Sequence, residues 1–590
     1  MRRFASLVCV LALAGCGGGG SQGAAQGPTP PQGPALAQTA PATFAFVMSK
    51  KSSASKRSPA YLTTAAQSIA LQVTGLKKAG TNVDLTSTLS PAMTAPQTVD
   101  VNNTSGNPNL AGQCGTDPAN AQNVRCTEIF QLPVGDTSVR IEAFDGVRGT
   151  GNRLAAQGLT LTVQSGSNTF AVTLDAVAQS IVVTSSCPGL VGTSSFTVYV
   201  PTDVTANVAV YDVHGVRIDL TVPGAPVLSA SSSDASVLTA SASGSTVTIH
   251  PVGTSGHALV TVKASPPSSG DGITAATTSF VVTLAVPTGT LYVSSRDLIN
   301  VYPASASGAV TPQRQITGFY RHSDGNPPPC GIGCYTISLG DIAAAANGTL
   351  LALHVFAQHN SQPNNAIEVY GPTASGPATP QASYDARGWG YGIATTPGSA
   401  GFDIINGSNV IEYSNGQLAG QFTTAYPALS GLSVDTSGQV FVSVPNLNLI
   451  AVYAPNASGS PSPIRTFATG PNPHWLAFGP DGTLYVIVFD GVTLLSSVQE
   501  FAPGAASPVR TLGPFVKNGQ PQNLIGIALD AVNELYVSFD DSTPPRTNSI
   551  SVFAPGATDP SAPVRTIQNP ISPTSLSPGG GTLNGIAIGP

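Results

Sequence analysis

The C-terminal half of the chain repeats one pattern of apolar and polar positions. Six segments alternate apolar with small or polar residues, and they read GTLYVSS from Gly289, GTLLALH from Gly348, GFDII from Gly401, GQVFVSV from Gly438, GTLYVIV from Gly482 and NELYVSF from Asn533. Their starts lie between 37 and 59 residues apart. A four-stranded blade of a β-propeller takes roughly 40 to 50 residues, so the spacing predicts a six-bladed propeller over residues 287–590.

Each repeat predicts three more strands. A second strand ends in an aromatic residue at an equivalent place, and a third segment in five of the repeats carries a proline. Proline cannot donate to a strand ladder, which suits an outer strand with one free edge. A small, apolar fourth segment precedes the next repeat and fits the crowded position at the axis. The aromatic residues are Tyr302, Tyr370, Tyr413, Tyr453, Phe501 and Phe553, and the prolines are Pro312, Pro380, Pro463, Pro508 and Pro563.

The two ends of this repeated region complement each other. The chain ends on LNGIAIGP from Leu583, which has the character of an innermost strand, whereas the repeat at Gly289 begins at its second strand. Pairing the two segments would complete one blade and remove the exposed edges of an open sheet. We therefore predict that the propeller is closed by pairing of its N- and C-terminal strands.

Four of the third segments also carry an arginine at one place, namely Arg314, Arg465, Arg510 and Arg565. Outer strands lie far from the axis and from one another, so these side chains are not expected to converge on one ligand. Repeats preserve what their stacking needs. We predict that each guanidinium bonds loop carbonyls or lies along the outer strand of its own blade.

The N-terminal half predicts two further all-β units. Residues 41–179 contain alternating segments such as TSVRIEAFDG and NTFAVTLDAV, divided by turns, which is typical of a β-sandwich. Residues 180–286 predict a second sandwich. Its run SSDASVLTASASGSTVTIHPVGTSGHALVTVKA from Ser232 resembles the bacterial Ig-like domains of surface proteins. That resemblance implies a spacer or adhesion module.

The first residues, MRRFASLVCVLALAGC, indicate export. Arg2 and Arg3 precede an apolar run that is too short to span a bilayer. The stretch Leu13 to Cys16 resembles the lipobox of bacterial lipoproteins, which implies removal of residues 1–15 and lipidation of the Cys16 thiol; an ordinary secretory signal is the alternative. Residues 16–40 are uncharged, rich in Gly, Gln, Pro and Ala, and predict a flexible tether.

These features predict a location outside the cytoplasm, with a lipid anchor in a bacterial membrane. Gly17, directly after the lipobox cysteine, resembles the pattern of lipoproteins sent to the outer membrane of double-membraned cells. Only 9% of the residues are charged, against about 25% in average soluble proteins, and the net charge is -6. Because no basic surface is available to collect phosphates, we expect no nucleic-acid partner.

Cysteines and histidines outside the signal have simple structural interpretations. In an exported chain, Cys114 with Cys126 and Cys330 with Cys334 predict disulfide loops. A metal site at the second pair, with His322 as a third ligand, is the alternative. His354 and its neighbour His359 follow a strand in a polar insertion, where we expect a solvated loop.

Candidate chemistry gathers where loops enter the innermost strands, since propellers bind ligands over the central channel. The repeated LYV followed by I-x-V-Y/F resembles the NHL repeat and the gluconolactonase-like propellers. The resemblance implies a site that holds a divalent cation such as calcium with a carboxylate and amides, for which Asp341, Asn523 and Asn584 are the comparable groups. The candidate channel residues are Asp341, Tyr391, Ser430, His474, Asn523 and Asn584.

Two functions remain open. The first is a surface lipoprotein without a cofactor, whose propeller binds protein or glycan and whose sandwiches are spacers. The second is an exported, metal-dependent propeller enzyme, namely a lactonase, hydrolase or lyase. The few charged residues at the predicted channel favour the first.

We predict that Cys16→Ser releases the protein from the membrane or stalls its processing, because the acyl chains need this thiol. Mass spectrometry of the membrane fraction should find a mature N-terminus at lipidated Cys16 in the unmodified protein. Cys9→Ser, inside the apolar run, is the matched control and should leave anchoring unchanged. A soluble mature protein that begins at another residue would contradict the lipobox interpretation.

Overall fold

The computed structural model gives a nearly all-β molecule. The predicted signal segment, Cys16, most of the predicted tether, Cys330, Cys334 and His359 lie outside the described residues. All structural statements concern residues 37–49, 66–101, 110, 113–118, 120–170, 172, 174–221, 224–268, 272–295, 298–319, 321–322, 336–357, 366–386, 390–396, 401–415, 417–541, 547–571 and 583–590.

Two sheets between Thr39 and Ala176 share one hydrophobic core. Strand Gly135–Phe144 alternates buried with half-buried residues, as expected for a strand with one face on a core. Phe44 packs edge-on against Phe130 at 5.5 Å within that core. The sheets have the orders Gln113–Asp117, Asn120–Pro133, Thr39–Ser49, Asn168–Phe170, and Gln97–Asp100, Ser68–Lys77, Gly135–Phe144, Arg153–Val163, Asp175–Ala176.

The first strand begins at Thr39, so the predicted tether ends slightly earlier than residue 40, because Thr39 already pairs with Pro133. Cys114 and Cys126 lie directly opposite each other on neighbouring strands and form the predicted disulfide. Helical structure among the described residues is confined to one α-helical turn and three 3-10 turns, and none of these is long or apolar enough to cross a membrane. They are Pro91–Thr94, Thr86–Thr88, Val147–Gly149 and Pro445–Leu447.

Two more sheets between Ser180 and Ala285 enclose a second core. Phe196 meets Phe280 edge-on at 5.1 Å there. Cys187 is the free cysteine of the described residues, and its sulfur accepts a hydrogen bond from the Thr205 amide at 3.4 Å. The sheets have the orders Ser180–Ser185, Val204–Tyr211, Thr246–Pro251, Leu238–Ser243, with Arg217–Ile218 beside Val204–Tyr211, and Leu190–Gly192, Phe196–Val198, Ala276–Ala285, Ser255–Ser265, Val227–Ser232.

The described residues from 290 to 589 form six antiparallel sheets, which we number repeat sheets 1 to 6. Each sheet has four strands in order from an inner strand to an outer strand. Repeat sheet 2 has an additional strand, Arg321–His322, before its inner strand. A separate hairpin, Val516–Lys517/Gln520–Pro521, precedes repeat sheet 6. The strands are, in order, Leu583–Gly589, Thr290–Ser295, Leu298–Pro303, Arg314–Thr317; Thr336–Ala344, Leu350–Ala357, Ala366–Tyr370, Ala382–Asp385; Gly390–Thr395, Phe402–Asn406, Asn409–Ser414, Gln417–Thr423; Leu432–Val434, Val440–Val444, Leu449–Tyr453, Arg465–Ala468; Pro473–Phe478, Leu484–Asp490, Leu495–Phe501, Arg510–Leu512; and Asn523–Leu529, Leu535–Asp541, Thr547–Phe553, Arg565–Gln568.

The inner strands contact one another in sequence, and the last of them returns to the first. Repeat sheet 1 takes its inner strand from the end of the chain, since Thr290 pairs with Gly589 and Val293 with Ile586 in an antiparallel ladder. The predicted pairing of the two terminal segments is therefore present. It joins residues that are almost three hundred positions apart in the sequence.

Aromatic hydroxyls connect successive sheets. The Tyr302 hydroxyl of repeat sheet 1 donates to the Pro570 carbonyl, just beyond the outer strand of repeat sheet 6, at 2.7 Å. The Tyr413 hydroxyl of repeat sheet 3 makes a similar bond to the carbonyl of Asp385, the last residue of the outer strand of repeat sheet 2, at 2.5 Å. At these two places the repeated aromatic residue fills the interface with the preceding sheet and satisfies a carbonyl there, whereas the Tyr370 hydroxyl donates to Glu368 of its own sheet.

Three glycines connect the same interfaces from the loop between the third strand and the outer strand of a sheet. Gly308, Gly376 and Gly459 each bridge the outer strand of the preceding sheet, opposite Ile567, Ile316 and Phe422. In the second of these bridges the Gly376 amide donates to the Gln315 carbonyl at 2.7 Å. All three glycines have positive φ angles, between +64° and +75°, which side chains rarely adopt.

Three of the four recurring arginines bond loop carbonyls, as predicted, and these carbonyls belong to the following sheet. Arg314 donates to the Ala374 carbonyl at 2.5 Å, Arg465 to the Gly504 carbonyl at 3.1 Å and Arg565 to the Ala304 carbonyl at 3.2 Å. Arg510 pairs with Glu500 of its own sheet instead. The guanidinium groups of Arg314, Arg465 and Arg565 lie 5.4 to 5.8 Å over Tyr292, Phe441 and Tyr536 of their own sheets.

The predicted outer strands also begin later than expected. Each starts two residues after its proline, so the prolines lie in the approach to the strand, where a missing N–H removes no ladder bond.

Arg565 makes the most enclosed of these contacts. Its guanidinium donates to both carboxylate oxygens of Glu534, at 2.6 and 2.7 Å, and both side chains are fully buried. It also donates to the Tyr199 carbonyl at 3.0 Å, which belongs to the region before repeat sheet 1. A bidentate, buried ion pair therefore links that region to repeat sheets 6 and 1. The sequence signal was Glu534 in NELYVSF, where other repeats have Thr or Gln, and sequence reasoning missed it.

We predict that deletion of residues 583–590 abolishes cooperative unfolding of the repeat sheets or causes aggregation. The deletion removes the inner strand of repeat sheet 1 and leaves strand Thr290–Ser295 with an unpaired edge. Thermal unfolding followed by circular dichroism is the measurement. Ile588→Val, which keeps the strand, is the control. An unchanged melting curve for the deleted chain would mean that the pairing contributes nothing to stability.

Candidate functional site

The inner strands of the repeat sheets are irregular at equivalent places. Their ladders shift register between Leu339 and Ile342, Gly390 and Ile393, Pro473 and Leu476, Leu524 and Gly526, and Leu583 and Gly585, in five of the sheets. Bulges of this kind leave a residue unpaired and re-aim its side chain. The irregularity lies near the start of each of these inner strands. We call this place the bulge level, and its equivalent residues are Asp341, Gly392, Gly431, Trp475, Gly526 and Gly585.

Glycine is the common residue at the bulge level, and the neighbouring backbone requires it most clearly at Gly431. A Cβ atom on Gly431 would lie 1.9 Å from the His474 carbonyl oxygen. Four repeats carry this glycine, at Gly392, Gly431, Gly526 and Gly585. Asp341 and Trp475 occupy the equivalent place in repeat sheets 2 and 5, so these two side chains are the exceptions to the pattern.

Four of the predicted channel residues precede this position directly, namely Tyr391, Ser430, His474 and Asn584. Ser430, His474 and Asn584 are half-buried, and the Tyr391 side chain lies outside the described part of the molecule. Asn523 lies two positions before the equivalent residue of its sheet, Ile525, and is exposed opposite Asp540. The structure therefore separates Asn523 from the level that the other candidates share.

Asp341 is tied to two neighbouring inner strands. Its carboxylate accepts hydrogen bonds from the Ile342 amide at 2.9 Å and, more weakly, from the Ile393 amide of repeat sheet 3 at 3.4 Å. On the other side, a Cβ atom on Gly585 would come within 2.9 Å of the same carboxylate. Loss of hydration in this crowded position raises the pKa of Asp341 to about 6, and the two amide bonds offset only part of the effect.

Asn584 and the Ser430–His474 pair also bond within the bulge level. The Asn584 side-chain nitrogen donates to the Leu339 carbonyl at 2.6 Å. Ser430 Oγ lies 2.8 Å from His474 Nδ1, and burial lowers the pKa of His474, which favours the neutral ring. No ion pair among the described residues includes His474, so the serine and histidine have no third, orienting carboxylate of the kind that nucleophilic catalysis uses.

Within the described part of the chain, no three His, Cys, Asp or Glu side chains gather in a way that could hold a metal ion. Asp341 and Asn584 lie on inner strands that contact each other, but the Asn584 nitrogen is engaged by a backbone carbonyl. The trio Asp341, Asn523 and Asn584 therefore supplies one carboxylate and only one amide at the same level.

The prediction for His354 was wrong. His354 lies in strand Leu350–Ala357 and is 1% exposed, because it continues the alternation of Leu350 and Ala352 toward the core. Its Nε2 atom is 2.9 Å from Glu368, whose carboxylate also accepts the Tyr370 hydroxyl, and Phe319 packs on its ring at 5.4 Å. Continuing the period-two pattern past the leucines would have found this buried group.

No protein-family model matches the chain, and no curated protein matches it. Among solved structures it is similar to the hydrazine synthase of Kuenenia stuttgartiensis, with 15% identity and a TM-score of 0.30 over 37% of this chain and 63% of that one. A protein of unknown function from Bacteroides caccae has 12% identity and a TM-score of 0.36 over 51% of this chain and 98% of its own. A functionally unknown protein from Desulfotomaculum acetoxidans has 16% identity and a TM-score of 0.32 over 51% and 99%.

We predict that Asp341→Asn stabilises the protein near pH 7 but not near pH 4. An unperturbed aspartate titrates near 3.8, so between about pH 4 and pH 6 the unfolded chain ionises while folded Asp341 stays protonated. Stability therefore falls as the pH rises through this window, and the amide removes that loss, which amounts to roughly 1 to 3 kcal/mol above pH 6.

The measurement is denaturant unfolding at both pH values. Asp490→Asn is the matched control, because hydrogen bonds from the Thr493 hydroxyl and the Val492 amide lower the pKa of this exposed aspartate. Its substitution should have the opposite sign and weaken the protein at neutral pH. An equal effect of Asp341→Asn on stability at pH 4 and pH 7 would contradict a raised pKa of Asp341 in the folded protein.

Proposed function

We propose that this protein is a lipoprotein anchored outside the cytoplasm through Cys16, and that residues 287–590 form a six-bladed β-propeller that binds a protein or glycan ligand. Residues 41–179 and 180–286 are two β-sandwich domains, the second Ig-like, that hold the propeller away from the membrane. The anchor rests on Arg2, Arg3 and the LAGC segment that ends at Cys16. The propeller rests on the cycle of inner strands.

The observation that carries the binding function is the composition of the bulge level. Its polar groups are half-buried and converge from successive inner strands, while most of their hydrogen bonds go to backbone groups or to each other. Such a surface offers neutral hydrogen-bonding groups and aromatic area in a concave place, as binding sites do. Trp475 lies beside His474, with 5.5 Å between ring centroids, and supplies a flat apolar face.

These groups suit an uncharged ligand, and a glycan fits them better than a charged peptide does. Sugar hydroxyls can pair with Ser430, His474 and Asn584, while the Trp475 ring can cover the apolar face of a sugar. The buried link between Arg565 and Tyr199 supports the spacer role, because a fixed attachment would keep the binding face in one orientation relative to the second sandwich.

The alternative is a metal-dependent lactonase, hydrolase or lyase. Its support is the Asp341 carboxyl beside the strand that carries Asn584. A calcium-type ion there would take oxygen ligands from these two side chains.

The test is a glycan array probed with the mature protein in detergent, followed by affinity measurement on any positive glycan. Trp475→Ala and His474→Ala should each weaken binding by about tenfold or more, as central contacts do. Val509→Ala, directly before the outer strand Arg510–Leu512 and 59% exposed, is the control and should bind normally. Turnover of the glycan or of a lactone, lost after chelation and in Asp341→Asn, would favour the enzyme instead.

A further inference from the structure

Repeat sheet 3 lacks the arginine and the aromatic residue that repeat sheets 1, 4, 5 and 6 carry at one register; repeat sheet 2 lacks them too and has the apolar residues Ala382 and Leu351 in their places. Gly420 occupies the arginine position by two independent registers. It pairs with Glu412 as Arg510 pairs with Glu500, and it lies two residues before Phe422, which bridges Gly459 as Ile316 bridges Gly376 two residues after Arg314.

Asp403 occupies the aromatic position of the same sheet. It pairs with Glu412 across the strands, as Tyr292 pairs with Val301 in repeat sheet 1. Asp403 therefore takes the place of Tyr292, Glu412 that of Val301 and Gly420 that of Arg314.

The two carboxylates face repeat sheet 4. Asp403 is on the same face as Ile405, and Glu412 on the same face as Val410, and both apolar residues belong to the core shared with strand Val440–Val444. Directly opposite residues have Cβ atoms about 5 Å apart, so the two acids are immediate neighbours. Burial in this apolar surrounding, and then the Glu412 charge, raise the pKa of Asp403 to about 7.

Asp403 is also unsatisfied. It is 3% exposed, and its Oδ1 atom has no hydrogen-bond partner among the described residues. Neither Asp403 nor Glu412 belongs to an ion pair in the described part of the molecule, in contrast to Glu500 and Glu534 with their arginines. A buried carboxylate without a partner is costly, and proteins meet that cost with a cation or a proton.

A loop of repeat sheet 4 completes the surroundings with acceptors. The Thr423 amide donates to the Gly459 carbonyl at 2.7 Å, which holds this loop against the outer strand of repeat sheet 3. By the same register, Ala457 stands where Ala374 accepts the Arg314 guanidinium in repeat sheet 2. Gly420 leaves the space open, since a Cβ atom there would meet only Glu412, at 3.5 Å.

We propose that Asp403, Glu412 and the loop at Ala457 bind a divalent cation of the calcium type, which takes the place of the guanidinium between repeat sheets 3 and 4. Two carboxylates with a backbone carbonyl form a hard, all-oxygen ligand set with flexible geometry, which suits Ca²⁺ better than Mg²⁺. The site is at the outer part of an interface between sheets, apart from the bulge level and Asp341. Its role is structural, and it does not depend on the proposed function.

The experiment measures thermal unfolding of the full chain in detergent after treatment with EDTA, as CaCl2 or MgCl2 is added back. We expect CaCl2 to raise the melting temperature by ~5 °C at concentrations well above the dissociation constant, and MgCl2 to raise it less. Asp403→Asn should abolish the calcium response. Asp341→Asn should retain it, which distinguishes this site from a cation in the channel.

Two variants test whether the cation takes the place that an arginine has in other repeat sheets. Gly420→Arg introduces the residue found in repeat sheets 1, 4, 5 and 6 and should make the melting temperature independent of calcium, because the guanidinium then pairs with Glu412. Glu500→Gln, at the position equivalent to Glu412 in repeat sheet 5, is the matched control and should lower stability with the calcium response intact.

Calorimetric titration of the EDTA-treated protein with CaCl2 measures calcium binding directly, without unfolding the protein. Binding of one ion that is lost in Asp403→Asn supports the proposal. No heat of binding, together with a melting temperature unaffected by millimolar calcium, would overturn it and show that the two carboxyls share a proton instead.

Discussion

Every repeat sheet between Thr290 and Gly589 has two apolar faces to bury, and only the sheets before and after it are available to cover them. A four-stranded sheet of short strands is not stable with one face in water and an unpaired edge. The inner strands therefore run in a cycle, and the cycle is complete only because Leu583–Gly589 joins Thr290–Ser295. The contacts between sheets in this half of the molecule lie at the interfaces where neighbouring sheets cover each other's apolar faces.

The polar atoms at these interfaces need partners as much as the apolar ones need contact. Tyrosine hydroxyls bond the segment behind the preceding sheet, loop glycines extend its outer strand, and arginines reach the next loop. Where the region before repeat sheet 1 meets the cycle, Arg565 and Glu534 are both buried and each satisfies the charge of the other. Only repeat sheet 3 leaves an acid, Asp403, without such a partner in the described part of the chain.

The same crowding explains the character of the bulge level. Inner strands approach so closely at Gly431 and Gly585 that a Cβ atom there would clash, which leaves few positions for chemically active side chains. Those that remain, Asp341, His474 and Asn584, are used to hold neighbouring strands, and their hydration is reduced. An arrangement of this kind suits recognition of an uncharged ligand better than proton transfer, which needs a base oriented by a second charged group.

Local pattern was sufficient for much of the architecture. The period-two alternation, the repeat spacing and the half-repeats at Gly289 and Leu583 predicted the strands, their order and the terminal pairing, because each depends on residues adjacent in sequence or on simple counting. The Cys114–Cys126 disulfide followed from the predicted export of the chain and from the two cysteines lying near each other in sequence. Contacts between sheets did not follow, since they depend on strand register and twist, which bring distant residues together. Hence His354 was expected in solvent and is buried. Three of the arginines bond the following sheet, and Asn523 is displaced from the bulge level. The pairing of Glu534 with Arg565, and the lack of a hydrogen-bond partner for Asp403 Oδ1 among the described residues, became visible only once the sheets were packed.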